Sequence, residues 1–221
     1  MSLPAVKRNP GGLAAKVPSG VFARAVRRVD FDGEPIPPGA LAALGVACAG
    51  AEVSFRFVAG EAERAAVAAL VAEAERALFA DPGYRLALGS RWHPRPVEED
   101  DEEEDAGFLL PVPDLFPGLG SFWVSTQGLT DLQARRDFRL AARAPLLVVV
   151  AAPETKEGRA AALETARRLV ATSEESGLAA CFFNQPVFAP EIGRRLAERL
   201  ALGAPLQLLL AVGVARTAPR G

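Results

Sequence analysis

Residues 146–151 (LLVVVA) form an uninterrupted apolar run, and this run constrains the fold more than any other part of the chain. A strand with one face in water alternates apolar and polar residues, whereas a strand covered on both faces is apolar throughout. We therefore predict that Leu146–Ala151 is a central strand, and that helices cover the sheet to which it belongs.

The patterns around this strand predict the rest of the domain. In residues 52–58, Val53, Phe55 and Phe57 alternate with other residues, which indicates an edge or near-edge strand. Helical spacing of apolar residues, or a proline at the first turn, predicts five helices. The predicted helices are Gly39–Ala49, Glu61–Phe79, Asp131–Arg143, Glu157–Ser176 and one opened by Pro190 and closed by Gly203, and the further strands are Ala179–Phe183 and Leu206–Val214. This order predicts an α+β fold with a mixed sheet flanked by helices.

Two segments lack such periodicity. Residues 1–21 are rich in Pro and Gly and predict an extended N-terminal arm that can wrap a neighbouring subunit, which leaves residues 22–221 as a single domain. Residues 91–128 predict a long, irregular, lid-like excursion over the surface. It includes the acidic run Glu98–Asp105 (EEDDEEED), typical of a solvated loop, or alternatively a flap that screens a basic surface or recruits a cation.

Composition excludes several classes of protein. At 221 residues and 50% hydrophobic, the chain can bury one substantial core. No apolar run approaches the ~18–20 residues that cross a bilayer, and the first residues lack the apolar core of a signal peptide, so we expect a cytoplasmic protein without membrane contact. Cys48 and Cys181 are far apart in sequence and are expected to be buried as small hydrophobic residues.

The motifs also exclude familiar chemistry. His93 is the only histidine, so a Ser-His-Asp triad or a multi-histidine metal site is not expected, and we predict neither a catalytic side chain nor a metal. The phosphate loop of nucleoside triphosphatases is absent, and Gly118-Leu-Gly120 lacks the third glycine of a dinucleotide-binding turn. No stripe of basic and aromatic residues predicts nucleic-acid binding. Chemistry carried by a bound cofactor remains.

Residues 178–187 (LAACFFNQPV) are the strongest site candidate in the chain. They follow a long predicted helix and Gly177, which is well placed to end it. An apolar strand that runs directly into Asn-Gln-Pro places amide side chains at a strand end, where α/β proteins tend to bind flat cofactors. Asn184 and Gln185 are therefore candidate binding residues; alternatively, they cap the turn before Pro186.

Five segments, in this order, carry a resemblance to a known family. They are RAVRR (24–28), PIPPGALAAL (35–44), AERAAVAALVAEAERALFADPGYRLAL (62–88), GLAACFFNQPV (177–187) and QLLLAVGVARTAPR (207–220). The chain resembles the nitroreductase superfamily, particularly its Acg-like branch of FMN-binding oxidoreductases. The resemblance implies a nitroreductase-like fold in which FMN lies at a subunit or half-domain interface. It also implies an oxidoreductase that transfers hydride from NADH or NADPH through the flavin to a nitro- or quinone-like acceptor.

The same resemblance assigns roles to six residues. Arg24 and Arg27 would pair with the FMN phosphate, because a guanidinium matches a phosphate bidentately. Arg216 and Arg220 would close the phosphate from the C-terminal side, and Asn184 and Gln185 would contact the ring. The simpler alternatives are a solvated or ion-paired basic surface for the first pair of arginines and a frayed terminus for the second.

Two departures from the family pattern leave a second function open. The P-S-x-x-N-x-Q-P-W-like segment that usually contacts the flavin is absent between Leu44 and Val53, and the chain resembles only the second half of the Acg-like proteins. It would then act as a homodimer or with a partner half-domain. The alternative is a degenerate nitroreductase-fold protein that sequesters flavin or another ligand, or that serves as a non-catalytic partner subunit.

Overall fold

The computed structural model of the chain describes residues 28–50, 52–84 and 130–216. In chain order, the elements of this part are α1 (Pro38–Cys48), β1 (Ser54–Val58), α2 (Glu61–Ala80), α3 (Thr130–Arg143), β2 (Leu146–Ala151), α4 (Lys156–Glu175), β3 (Ala179–Phe182), α5 (Gln185–Phe188), α6 (Pro190–Arg199) and β4 (Leu206–Gly213). The predicted N-terminal arm, the lid-like excursion and the site residues Arg24, Arg27 and Arg220 lie outside the described residues.

The four strands form one sheet in the order β1-β2-β4-β3. Phe57 pairs with Val148, Leu147 pairs with Ala211, and Cys181 pairs with the same Ala211 from the other side. All six residues of β2 and all eight of β4 are buried, which confirms Leu146–Ala151 as a central strand. β1 lies at an edge of the sheet, as its alternating pattern predicts.

The α+β class predicted from the sequence is confirmed, but the sheet is antiparallel between every pair of described strands rather than mixed. The reason lies in the position of β4. Helix α4 connects β2 to β3, which point the same way and would pair as parallel neighbours if they were adjacent. Instead β4, the last strand in the sequence, lies between them and runs antiparallel to both.

Because successive residues of a strand point to opposite faces, β2 and β4 contribute to two separate cores. Leu147, Val149 and Leu209 face a core that α2, α3 and α6 complete. Val148 and Leu210 face the other core, which α1 and α4 complete. Each fully buried Leu or Val stabilises the fold by roughly 1.5–3 kcal/mol relative to exposure, so both faces of the sheet require a helical layer.

Local signals place the helix that leads to the candidate strand. The Thr155 hydroxyl accepts a hydrogen bond from the backbone N–H of Gly158 at 3.0 Å and caps the N-terminus of α4. Gly177 follows the helix with φ of +70°, a left-handed conformation that favours glycine. The role predicted for Gly177 is therefore confirmed, and the chain turns directly into β3.

The N- and C-terminal ends of the described part meet beside β4. Phe31 forms an isolated bridge with Ala215, and the backbone N–H of Arg216 donates to the Asp30 carbonyl at 2.8 Å. Phe31 is completely buried. This pairing joins the segment that follows the arginine-rich RAVRR sequence to the C-terminal strand.

None of the described helices is both long and apolar enough to cross a membrane. Cys48 and Cys181 are both free and buried, as predicted. Burial raises the pKa of the Cys48 thiol to about 12, although nearby Arg168 opposes this shift, and burial also raises the pKa of Cys181. Neither thiol is therefore activated as a nucleophile.

Substitution of Gly213 by Ala is expected to lower the free energy of unfolding by about 1–3 kcal/mol, which chemical denaturation would measure. An added Cβ would lie 2.6 Å from Cδ of Pro145 and 2.8 Å from Cδ1 of Phe31. The Phe31 ring is completely buried, and the Pro145 ring is closed on its own backbone. Gly203→Ala is the control, because a Cβ there meets nothing within 4 Å. Equal stability of the two variants would contradict this account of the packing around Phe31.

Candidate functional site

Asn184 lies where β3 ends and α5 begins. Its side-chain Oδ1 accepts a hydrogen bond from the backbone N–H of Leu209 in β4 at 2.9 Å. The backbone N–H of Phe183 also donates to the Leu209 carbonyl, at 2.8 Å. Asn184 occupies the N-cap position of α5 but makes no side-chain capping bond there. The side-chain oxygen of Asn184 therefore extends the hydrogen bonding between β3 and β4 by one residue. Asn184 is half-buried.

Gln185 is buried and points toward α3. Its Nε2 donates to Oδ2 of Asp137 at 2.6 Å, and Gln133 Nε2 donates to Oδ1 of the same carboxylate at 3.3 Å. The Oε1 atom of Gln185 is buried without a hydrogen-bond partner. The structure therefore places this predicted ring-contacting side chain in an internal polar network.

Arg28 supplies the positive charge of this network. Its Nε and Nη2 donate to the two oxygens of Asp137 at 2.9 and 2.8 Å, and its Nη1 donates to the Phe182 carbonyl at 2.6 Å. The guanidinium carbon also lies 4.7 Å from the centre of the Phe183 ring, a cation–π distance. Burial alone would lower the pKa of Arg28, but the Asp137 carboxylate outweighs it and raises that pKa. Arg28 therefore stays charged in the folded protein.

Glu75, on α2, lies beside this ion pair and is completely buried. Both of its carboxylate oxygens lack a hydrogen-bond partner. Burial raises the pKa of Glu75 to about 7, with a further contribution from the Asp137 charge, and Arg28 and Gln185 oppose the shift. A protonated carboxyl group at this position is neutral and can donate a hydrogen bond.

Arg216 lies at the surface, beside the segment that carries Arg28. Its Nη1 is 3.6 Å from Oδ2 of Asp30, and Nη1 of Arg143 is 3.8 Å from Oδ1 of the same side chain. Both guanidinium groups are about half exposed. One carboxylate therefore faces two arginines, and the group has a net positive charge that an external anion can reach.

A groove of about 570 Å³ lies between α2 and α3. Arg76, Arg135 and Arg139 line it together with Phe138 and Leu132, and the last two are large apolar side chains with substantial exposure. Arg76 of α2 pairs with Asp131 of α3 at 3.1 Å. The surface of these two helices is thus both basic and apolar.

Among the described residues, no group of three or more His, Cys, Asp or Glu side chains is placed to hold a metal ion. The structure brings together Arg28, Asp137, Gln185 and Glu75 in the interior, and Arg216 with Arg143 and Asp30 at the surface. Of the site residues predicted from the sequence, Asn184 and Gln185 are adjacent at the end of β3, and Arg216 belongs to the separate surface group.

Sequence reasoning did not single out Asp137, Glu75 or Arg143. The first two could have been found, because both interrupt an apolar helical stripe. Glu75 lies four residues after Val71, and Asp137 lies four residues before Ala141. A charged residue at a core position requires a partner or a proton. Arg143 carries no comparable signal, since it is an exposed arginine at a helix end.

No protein-family model matches the chain, and no curated protein sequence is significantly similar to it. Solved structures nevertheless share its fold. An iodotyrosine deiodinase bound to FMN and 3-iodo-L-tyrosine aligns over 91% of this chain and 93% of its own, with a TM-score of 0.52 and 15% identity. The FMN-dependent nitroreductase NfnB from Mycobacterium smegmatis, in complex with NADPH, aligns over 88% of this chain and 86% of its own, with a TM-score of 0.52 and 17% identity.

A nitroreductase with bound FMN from Desulfitobacterium hafniense aligns over 90% of this chain and 88% of its own, with a TM-score of 0.50 and 14% identity. At these identities the likeness concerns the fold. The chain therefore has a nitroreductase-like α+β fold, as its sequence resemblance implies. The narrower assignment to the Acg-like branch stays a prediction.

Replacing Asp137 by Ala is expected to lower the free energy of unfolding by about 3–5 kcal/mol, because it leaves the Arg28 guanidinium buried without its counter-charge. Urea denaturation at neutral pH would measure the loss. The matched control is Asp131→Ala. Asp131 is exposed on the same helix as Asp137 and pairs with Arg76 of α2, so its loss should cost less than about 1 kcal/mol. A mild effect at Asp137 would show that the Arg28 pair does not hold the interior together.

Proposed function

We propose that the protein is an FMN-dependent, nitroreductase-like oxidoreductase that takes hydride from NADH or NADPH and reduces a nitro- or quinone-like acceptor. The fold supports this most. The chain aligns over 86–93% of the length of a deiodinase bound to FMN, a nitroreductase with bound FMN and an FMN-dependent nitroreductase in complex with NADPH. Bound FMN would supply the hydride and electron transfer, and no side chain need act as a nucleophile.

The surface group of Arg216, Arg143 and Asp30 fits the phosphate end of such a cofactor. Arg216 and Arg143 are half exposed and share one carboxylate at 3.6 and 3.8 Å, distances that leave their N–H groups free to reorient toward a phosphate. The bridge between Phe31 and Ala215 places Arg216 beside Asp30, three residues after Arg27 in the sequence. We propose that Arg24, Arg27, Arg216 and Arg220 bind the phosphate and that Arg143 belongs with them.

The side chains of Asn184 and Gln185 fit a flavin-ring site less directly than the arginines fit a phosphate site. The Oδ1 atom of Asn184 is engaged by Leu209, and the amide nitrogen of Gln185 is engaged by Asp137. In this arrangement Gln185 orients the strand end from inside rather than contacting a ligand with its side chain. We propose that Asn184 and Gln185 contribute to the ring site chiefly through the backbone that they hold in place at the end of β3.

A homodimer is part of this proposal, because the resemblance implies a flavin site at a subunit or half-domain interface. The second candidate function is a degenerate nitroreductase-fold protein that binds flavin or another ligand, or pairs with another subunit, without turnover. The inward orientation of Gln185 favours it, since the predicted ring contact is used within the fold. NADPH oxidation by the flavin-loaded protein separates the two functions, because only the enzyme turns over. Light scattering tests the dimer independently.

Purified protein is expected to bind FMN and to show the absorbance bands of oxidised flavin. Those bands should decrease when NADH or NADPH is added without oxygen and return when a quinone follows. A protein that takes up FMN but is not reduced by either nicotinamide would support the binding function instead. Failure to retain added FMN after gel filtration would contradict both flavin functions.

Substitution of Arg216 by Glu should weaken FMN binding by roughly 10–100-fold, because it replaces one charge-assisted hydrogen bond to the phosphate with repulsion. Fluorescence titration of FMN would measure the change. Arg167→Glu is the control, since Arg167 is an exposed arginine on α4 that pairs with Glu164. Riboflavin, which lacks the phosphate, should bind both variants equally. If Arg216→Glu retained FMN as well as the control does, Arg216 would not belong to the site.

A further inference from the structure

The buried polar network holds one positive and two potentially negative side chains. Arg28 contributes the positive charge, and Asp137 and Glu75 contribute the carboxyl groups, both of which have 0% side-chain or residue exposure. If both carboxyl groups were ionised, the interior would carry an uncompensated negative charge. An isolated ionised group is so unfavourable in a protein interior that it normally takes up a proton instead.

The hydrogen bonds decide which carboxyl group is charged. Asp137 accepts two hydrogen bonds from Arg28 and one each from Gln133 and Gln185. In all four bonds Asp137 is the acceptor, which is the role of an ionised carboxylate. Arg28 directs its remaining described bond to the Phe182 carbonyl. Glu75 receives no bond at either oxygen. Of the two carboxyl groups, only Glu75 lacks the donors that an ionised form requires.

The orientation of the Gln185 amide leaves its oxygen without a hydrogen-bond donor. Asp137 accepts the Gln185 Nε2 group at 2.6 Å, so the amide cannot be reversed without placing its oxygen against a carboxylate. Gln185 Oε1 is consequently turned away from Asp137 and is buried without a donor. Glu75 and Gln185 are close enough to interact through their side chains. Both Glu75 oxygens and Gln185 Oε1 thus lie near one another, and none of the three has a hydrogen-bond partner in the described part of the chain.

We propose that Glu75 is a neutral carboxylic acid in the folded protein at neutral pH and donates its proton to Oε1 of Gln185, which joins α2 to α5 by a pH-sensitive link. One proton would give Gln185 Oε1 a donor and make the interior neutral. Deprotonation would remove the donor and place two carboxylates beside a single arginine. The proposal concerns the interior and does not depend on flavin binding.

The surroundings of Glu75 determine the direction of the pH dependence. Among the described residues, three titratable groups face Glu75: Asp137 of α3, Arg28 of the N-terminal segment and Tyr84 of the turn after α2. α5 contributes the neutral Gln185. The charged residue that α6 places against α2 is Arg195, which pairs with the exposed Glu73. Burial and the Glu75 charge also raise the pKa of Tyr84, so Tyr84 stays neutral. The pKa of Glu75 rises from 4.5 to about 7 on folding.

Between pH 4.5 and about 7, Glu75 holds a proton in the folded protein that it has released in the unfolded chain. Its contribution to stability therefore falls as pH rises and becomes constant above about pH 7. Glu75→Gln carries a permanently neutral amide that can donate to Gln185 Oε1. The ratio of the folding equilibrium constants of Glu75→Gln and wild type should therefore increase by roughly a hundredfold from about pH 5 to about pH 8.

Denaturant titrations of both proteins across this pH range would measure that ratio, and Glu73→Gln on the exposed side of the same helix is the control. The control curve should stay parallel to that of the wild type. Infrared spectroscopy gives an independent readout, since a protonated carboxyl has a carbonyl stretch distinct from that of a carboxylate. This band should be present in wild type at about pH 6 and absent in Glu75→Gln. A ratio that does not change with pH, or no such band in the wild type, would overturn the proposal.

Discussion

The complete burial of β2 and β4 is the constraint on which the rest of the fold depends. Every residue of these two strands is buried, so the sheet must be covered on both faces. α2, α3 and α6 complete one core, and α1 and α4 complete the other. α4 links β2 to β3 along one face, and the last strand then enters the gap between them. β4 therefore supplies the hydrogen-bonding partner of both β2 and β3, and it joins them into one sheet.

The Arg28–Asp137 ion pair is the second constraint, and it explains why the candidate site strand is oriented as it is. A buried pair offsets its desolvation only when its geometry is good and further hydrogen bonds satisfy its atoms. Here both oxygens of Asp137 accept from Arg28, and the remaining bonds come from Gln133 and Gln185. The Gln185 side chain therefore points into the interior. Hydrogen bonds hold the end of β3 to α3, to the N-terminal segment and to β4.

Much of the fold could be predicted because its signals are local. The apolar run of β2, the left-handed Gly177 and the proline that opens α6 each depend on a few neighbouring residues. The position of β4 could not, because the order of β2 and β4 depends on contacts between residues 55 to 66 positions apart in sequence. The arginines illustrate the same limit. RAVRR predicts a basic element, but only the contact with Asp137, 109 residues away, shows that Arg28 is internal.

The candidate site divides into two parts with different physical character. At the end of β3, the amide side chains of Asn184 and Gln185 serve the fold, so a flat ligand placed there would meet backbone that those side chains hold rigid. At the Phe31–Ala215 bridge, the charged side chains are exposed and only loosely paired with Asp30. A rigid end suits a ring, whose position must be defined for electron transfer, and an adaptable charged end suits a phosphate. The sequence resemblance assigned ring contacts to both amides without showing that Asn184 Oδ1 and Gln185 Nε2 are already hydrogen-bonded within the fold, because their partners lie 25 and 48 residues away in sequence.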